Sequence, residues 1–201
     1  MGAKVAIAIL AAGRSTRMGD FNKLLSRFEG VPLVRLSITR AVSAGRGPVI
    51  LVTGHMADEI VEAASGIPVI IAQNSEHASG LSSSIRAALR VVPDECAGML
   101  IHLADMPLVT EFHLAATIDE FIDNECAVVV RATAGGKPGN PVVVPRSLFT
   151  KLSLIEGDIG ARGVIAASGI PVMGLEIGCA ALSDVDTPEA LKAVGGHRPL
   201  S

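Results

Sequence analysis

Between residues 10 and 24 the chain reads LAAGRSTRMGDFNKL. Arg14, Arg17 and Lys23 are spread along it with two glycines, Gly13 and Gly19, and little side-chain bulk. Successive backbone N–H groups in such a loop can form a concave anion nest. Arginine grips phosphate through a fork of donors, and glycine lets the backbone turn and come close to a ligand. The residue types therefore predict a site for a phosphate-bearing molecule. Neither common phosphate fingerprint is present. Lys23 follows Gly19 by four residues and precedes Leu24, so GxxxxGK followed by Ser or Thr fails, and GxGxxG is absent. An ordinary Gly/Arg surface loop has the same composition and stays open as a reading.

Further along, GMLIHLADMPLV runs apolar and then reaches Asp105, two residues before Pro107. Proline ends strand pairing, so Asp105 is expected at a strand's carboxyl end. In a parallel sheet that is the rim of the first loop. A carboxylate facing a phosphate-binding loop suits a divalent cation, since Mg²⁺ takes one or two carboxylates plus substrate phosphates. A turn residue, or a partner for a loop arginine, is the alternative. His102, inside the strand, reads as a core or supporting residue. Near the end, LSDVDTPEAL places Asp184 and Asp186 two apart, facing one side of an extended segment. Asp186, Pro188 and Glu189 also read as a helix start resembling a capping box, which would account for Asp186 without a metal.

The elements that must carry these residues alternate. Apolar runs at 4–10, 48–54, 67–73, 98–105 and 126–132 predict strands, and residues 33–44, 57–65, 79–92 and 110–123 predict helices. Val34, Ile38, Ala41 and Val42 make one apolar helical face, Gly45 and Gly47-Pro48 stop that helix, and Ser79 is the expected cap of the 79–92 helix. LLSRFEGVPLV predicts a small hairpin at Glu29-Gly30. GGKPGNP breaks the alternation, and residues 133–157 look irregular. PVVVP then reads as a strand, LFTKL and 158–168 as helical, 170–177 as extended and 187–194 as helical. Continuous apolar strands alternating with helices predict one α/β domain over residues 1–201, with a mostly parallel sheet covered on both faces.

Composition narrows the function. The chain has 201 residues, 49% hydrophobic, a net charge of −3, no Trp, no Tyr and five Phe. Without aromatic platforms or excess positive charge, nucleic-acid binding is not expected. The run from Val5 to Ala12 is shorter than the ~20 residues of a membrane span and lacks a signal-peptide cleavage context. The start MGAKVA has Ala6 where myristoylation wants Ser or Thr. Cys96, Cys126 and Cys179 form no CxxC pair and read as three buried, reduced thiols of a cytoplasmic protein.

LAAGRSTRMGDFNKLL, LADMPLV, GGKPGNPVVVP, GDIGARGVI and DVDTPEAL together, in that order, resemble the nucleotidyltransferases that make molybdenum cofactor dinucleotides. The likeness runs from Val5 to Leu191. It implies a three-layer α/β/α, Rossmann-like nucleotidyltransferase fold, an NTP donor with Mg²⁺, a phosphate-bearing acceptor and release of pyrophosphate. LAAG rather than LAGG, with PGNP, is similar to the cytidylyltransferase branch: CTP as donor and molybdopterin as acceptor. It departs from the family at Ala190, where an acidic residue is usual.

The resemblance also assigns residues. Leu10 and the Ala11–Gly13 backbone, with Ala12 between them, would lie against the nucleoside. Arg17 and the backbone from Ser15 to Gly19 would hold the β- and γ-phosphates, and Lys23 the α-phosphate. Asp105, helped by Asp186 or Asp184, would hold Mg²⁺. Gly80 and Ser82 would sit near the base or phosphates, and Gly139, Asn140 and Arg162 on the acceptor side. Arg14 has no assigned role. An ionised phosphate nucleophile needs no general base, which agrees with the lack of a Ser-His-Asp or Cys-His set. A guanylyltransferase of the same family and a non-catalytic nucleotide carrier are the alternatives. A molybdoenzyme or its chaperone is the partner implied.

Overall fold

The computed structural model describes residues 2–15, 18, 21–28, 30–157 and 161–199. β1 (Lys4–Leu10) lies inside the sheet, buried from Val5 onward. Its Val5, Ile7 and Ile9 point into one apolar layer and its Ala6, Ala8 and Leu10 into another. β2 (Arg27–Phe28) and β3 (Val31–Pro32) form the small antiparallel hairpin, with Gly30 at φ +82°. α1 (Leu33–Ala44) follows and stops at Gly45, which is left-handed and bonds back to Val42. β4 (Val49–Thr53), α2 (Ala57–Ala63), β5 (Ile70–Gln73), α3 (Leu81–Leu89), β6 (Cys96–Leu103) and α4 (Glu111–Asp123) continue the alternation. β7 (Val129–Ala134), β8 (Lys137–Pro145), α5 (Phe149–Leu152), α6 (Arg162–Ala167), β9 (Val172–Glu176) and α7 (Pro188–Ala193) complete the order.

The seven long strands make one sheet in the order β5-β4-β1-β6-β8-β7-β9. β1 pairs in parallel with β4 and β6, β4 with β5, and β7 with β9. α1, α2 and α4 cover one face through Val34, Ile38, Ile60, Leu114, Ile118 and Phe121. α3, α5 and α6 cover the other through Ile85, Leu152 and Ile165. Each such buried apolar side chain contributes ~1.5–3 kcal/mol. The expected three-layer architecture is therefore the observed one.

Several expectations are corrected. GGKPGNP does not break the pattern. Gly135 and Gly136, at φ +56° and +76°, form a tight turn, and from Lys137 the same residues begin the nine-residue β8. β8 is antiparallel to both β6 and β7, the one reversal in the sheet. Ser79 does not cap α3: the cap position is Gly80, at φ +87°, which offers no side-chain cap. Of the cysteines only Cys96 is buried, and Cys179 is exposed, although all three are free thiols. Among the described residues no helix is long and apolar enough to cross a membrane.

Candidate active site

The first loop leaves β1 at the carboxyl edge of the sheet, where open α/β sheets bind ligands. Ala11 N–H donates to the Val52 carbonyl at 2.9 Å, and Ala12 accepts from His55 N–H at 3.4 Å, so β4 fixes the loop's start. Ser15 sits at φ +51°, strained for a residue with a side chain. Its hydroxyl donates to Asn22 Oδ1 at 3.1 Å and accepts from Lys23 N–H at 3.2 Å. Asn22 Oδ1 also accepts from Leu24 N–H and caps the short 3₁₀ turn Lys23–Leu25. Ser15 and Asn22 thus lock the return of the loop and fix where Lys23 begins.

Lys23 Nζ lies 2.5 Å from Asp105 Oδ2 and 2.6 Å from Asp186 Oδ1. Burial disfavours its charge, but the two carboxylates outweigh that and hold its pKa above the ordinary lysine value. Burial pushes Asp105 up, against the pull of Lys23 and with further push from the charges of Asp184 and Asp186. A buried lysine with two carboxylate partners stays charged.

The tail is tied to the end of β6 by a backbone bond, Val185 N–H to the Asp105 carbonyl at 2.9 Å. Val185 packs inward with Met18 and Leu191, while Asp184 and Asp186 both face the cavity. The period-two expectation for this segment is met. The capping expectation is not: Thr187 caps α7, its hydroxyl accepting from Ala190 N–H at 3.2 Å, with Pro188 in the first turn. Asp186 is therefore released to face Lys23.

These groups line a cavity of about 550 Å³, within the range of small-molecule sites. Leu10, Ala12, Gly13, Ser15, Lys23, Gly80, Asp105, Asp184 and Asp186 all line it, as does Arg14. A Cβ on Gly13 would meet nothing within 4 Å and its φ is not positive, so neither packing nor backbone strain requires that glycine. Ala11 does not line it: its side chain is fully buried in the core, and its N–H is taken by the Val52 carbonyl. Nor does Ser82, which turns inward with 0% exposure while Leu81 and Ser84 take the cavity wall. Arg17 and Gly19 lie outside the described residues. Gly139, Asn140 and Arg162 do not line the cavity. A Cβ on Gly139 would stand 2.1 Å from the Ala181 carbonyl oxygen, so close packing accounts for that glycine.

Sequence reasoning missed Asn74, His77 and Leu103. Asn74 Nδ2 donates to Ser83 and Ser84 hydroxyls at 2.9 and 3.1 Å, pinning the start of α3. His77 and Leu103 line the cavity. The one available signal was Asn74 at the end of an apolar strand, the counterpart of Asp105.

Among the described residues no group of three or more His, Cys, Asp and Glu is set to hold a metal. A magnesium site of one or two carboxylates completed by phosphates needs no such cage. Two features suit a cation: Asp105 Oδ1 is buried without a hydrogen-bond partner, and a positive group already stands between Asp105 and Asp186.

A mostly parallel, doubly covered sheet, with an aspartate-edged cavity at the end of its first strand lined by Arg14 and Lys23, defines an α/β nucleotidyltransferase fold. The chain belongs to the family described as the MobA-like NTP transferase domain, whose model matches residues 7–172. Among solved structures it is similar to Rv0371c of Mycobacterium tuberculosis, at 25% identity and a TM-score of 0.82, over 96% of this chain and 98% of that one. The same protein is known in complex with manganese, with a TM-score of 0.80 to this chain. A nucleotidyl transferase from Methanothermobacter has the same fold, at 23% identity and a TM-score of 0.82, over 96% of both chains. The bifunctional protein GlmU of Geobacter metallireducens is 32% identical over 130 residues, 64% of this chain and 27% of that protein. The chain thus spans about a quarter of the length of that relative. The resemblance read from the sequence holds at the level of the NTP transferase family.

Proposed function

We propose that this chain transfers CMP from CTP to the phosphate of molybdopterin, with release of pyrophosphate. The observation that carries the reading is the buried, charged Lys23 held between Asp105 and Asp186 where the first loop meets the cavity. The choice of CTP and molybdopterin rests on the LAAG, PGNP and DVDTPEAL segments and their likeness to the cytidylyltransferase branch.

In this reading Leu10, Ala12 and Gly13 bear on the nucleoside. The missing side chain at Gly13 leaves the backbone open to it. Gly80, at the start of α3, lies on the same wall, where free N–H groups and the helix dipole favour phosphate. Arg17 and the Ser15–Gly19 segment take the leaving pyrophosphate. Lys23 stabilises the charge that grows on the α-phosphate as the acceptor oxygen attacks in line. Such transfer depends on positioning and charge stabilisation rather than covalent catalysis. Asp105 and Asp186, with Asp184 beside them, are the residues that would hold a divalent ion, magnesium in this proposal, and manganese in the complex of Rv0371c is in keeping with it. Bound there, the ion would offset negative charge on the phosphates.

We read residues 1–201 as one domain, acting in the cytoplasm and delivering its product to a molybdoenzyme or its chaperone. The test is pyrophosphate release with purified molybdopterin and each NTP in turn. CTP is expected to give the highest turnover. Preference for GTP would make the chain a guanylyltransferase, and tight nucleotide binding without pyrophosphate would make it a carrier.

A further inference from the structure

Arg131 lies in β7, on the sheet face that carries Ala8, Ile101 and Val142. The register runs Arg131 to Val142, Val142 to Ile101 and Ile101 to Ala8. One pleat nearer the rim, Leu10 and Leu103 on that face line the nucleotide cavity. Arg131 therefore stands beside the cavity, two strands from β6, roughly 10 Å across the sheet. An arginine side chain spans much of that distance.

Its surroundings are unusual for a cation. Nε of Arg131 is buried and has no hydrogen-bond partner. The charged group that acts on it is another cation, Arg162, at the start of α6. Burial first, and then Arg162, press its pKa below the ordinary arginine value. Among the described residues neither arginine has a salt bridge. The carboxylate on the neighbouring strand, Glu176, is engaged elsewhere: it accepts from the Thr133 hydroxyl and from the N–H groups of Gly135, Gly136 and Gly178. Gly174, opposite Arg131 in the register, puts no side chain on this face. Val172, two residues before it, is 51% exposed, so the flank is open to solvent. Two guanidinium groups that repel each other, one of them half-buried and unpaired, are stabilised by an anion between them. A phosphate dianion matches two such forks.

We infer that Arg131 and Arg162 form an anion subsite beside the nucleotide cavity, and that it grips the phosphate-bearing acceptor. The occupant rests on the transferase reading; the subsite does not. Its role is positioning, and no bond forms or breaks at it.

Arg131→Gln and Arg162→Gln, singly and together, test it. The first readout is the thermal midpoint with inorganic phosphate added while excess CTP fills the nucleotide cavity. Phosphate is expected to raise the midpoint of the unaltered protein and to do so no longer in either variant. The second is kinetic. The KM for molybdopterin is expected to rise about tenfold for each arginine, as for loss of one charge-assisted hydrogen bond, with the CTP dissociation constant unchanged. A phosphate response that survives in the variants overturns the subsite. So does a loss of CTP affinity equal to the rise in KM, which would put the arginines on the triphosphate. Arg162 is exposed, so its variant keeps the fold whatever Arg131→Gln does. Asp158, four residues before Arg162, lies outside the described residues, and Asp158→Asn controls for it. An unchanged phosphate response is expected, and a response that appears only in that variant would show the arginines to be internally paired. If no NTP yields pyrophosphate while the phosphate response still depends on both arginines, the transferase reading fails and the subsite stands.

Discussion

A lysine buried between two aspartates is stable only while it stays charged, and at Lys23 that charge lies at the edge of a cavity fit for a nucleotide. Lys23→Ala is expected to leave the fold in place and cut turnover by about 10²–10³, the usual cost of removing one group that stabilises transition-state charge. Pyrophosphate release near the unaltered rate would remove Lys23 from the mechanism. Asp105→Asn keeps the shape but loses the charge that faces both Lys23 and the proposed ion. Its activity should collapse and no longer respond to a magnesium titration. Retained activity with the same magnesium dependence would move the metal elsewhere. At this scale much of the site was legible. Lys23, Asp105 and the Asp184/Asp186 pair could be read because charge was placed where an apolar run ends or alternates. Ser82 could not. Its inward turn follows from how Gly80 begins α3 and Asn74 ties Ser83 and Ser84, contacts made across a loop. The capping alternative for Asp186 could not be dismissed from sequence, because Asp186 and Thr187 are both good caps and only the fold selects Thr187.

At the scale of elements, two glycines separate packing from function. Gly139 in β8 lies against the turn at residues 178–182, and a Cβ there would stand 2.1 Å from a backbone oxygen, Ala181 O. Gly139→Ala is expected to destabilise the protein by about 1–3 kcal/mol, the cost of overpacking. Gly13→Ala meets open space and should be neutral or slightly stabilising, yet weaken CTP binding, because its methyl group enters the cavity. Denaturant midpoints and CTP titration on both variants check the pair, and equal stability losses would refute the distinction. Both glycines sit in motifs that carried the family resemblance, so their different roles could not be told apart by sequence. The same limit hid the first half of β8, ahead of the PVVVP run. Gly, Pro and Asn in GGKPGNP are local signals for turns, and only Gly135-Gly136 is one. Lys137 and Pro138 are held extended by pairing back to Ala134 and Thr133 across that turn, and from Val142 the strand runs on along β6, a partner far off in sequence.

For the whole molecule, the alternation of apolar runs foretold a doubly covered sheet, because each strand had to bury both faces. It did not foretell that β8 runs against its neighbours, since a strand's direction leaves no trace in its own composition. That reversal divides the sheet. β1 and β6, on one side of it, end at the cavity through Leu10 and Leu103, and β8, β7 and β9 carry the flank with Arg131. His102 lies in β6, in the first of these groups, next to β8 and 1% exposed. Burial, and then the charge of Arg40, lower its pKa to about 3. Sequence placed it in the core, and its electrostatic state ties global stability to pH. Below its ordinary pKa of 6.5 the unfolded chain takes up a proton that the folded chain refuses. Stability therefore falls as pH drops from that value toward about 3. Between pH 7 and pH 4 this one group should account for about 3 kcal/mol of lost stability. His102→Gln, which cannot titrate, should lose that much less over the same interval. Urea unfolding at the two pH values measures it, and equal losses in both proteins would mean that His102 is not the group the folded sheet keeps neutral.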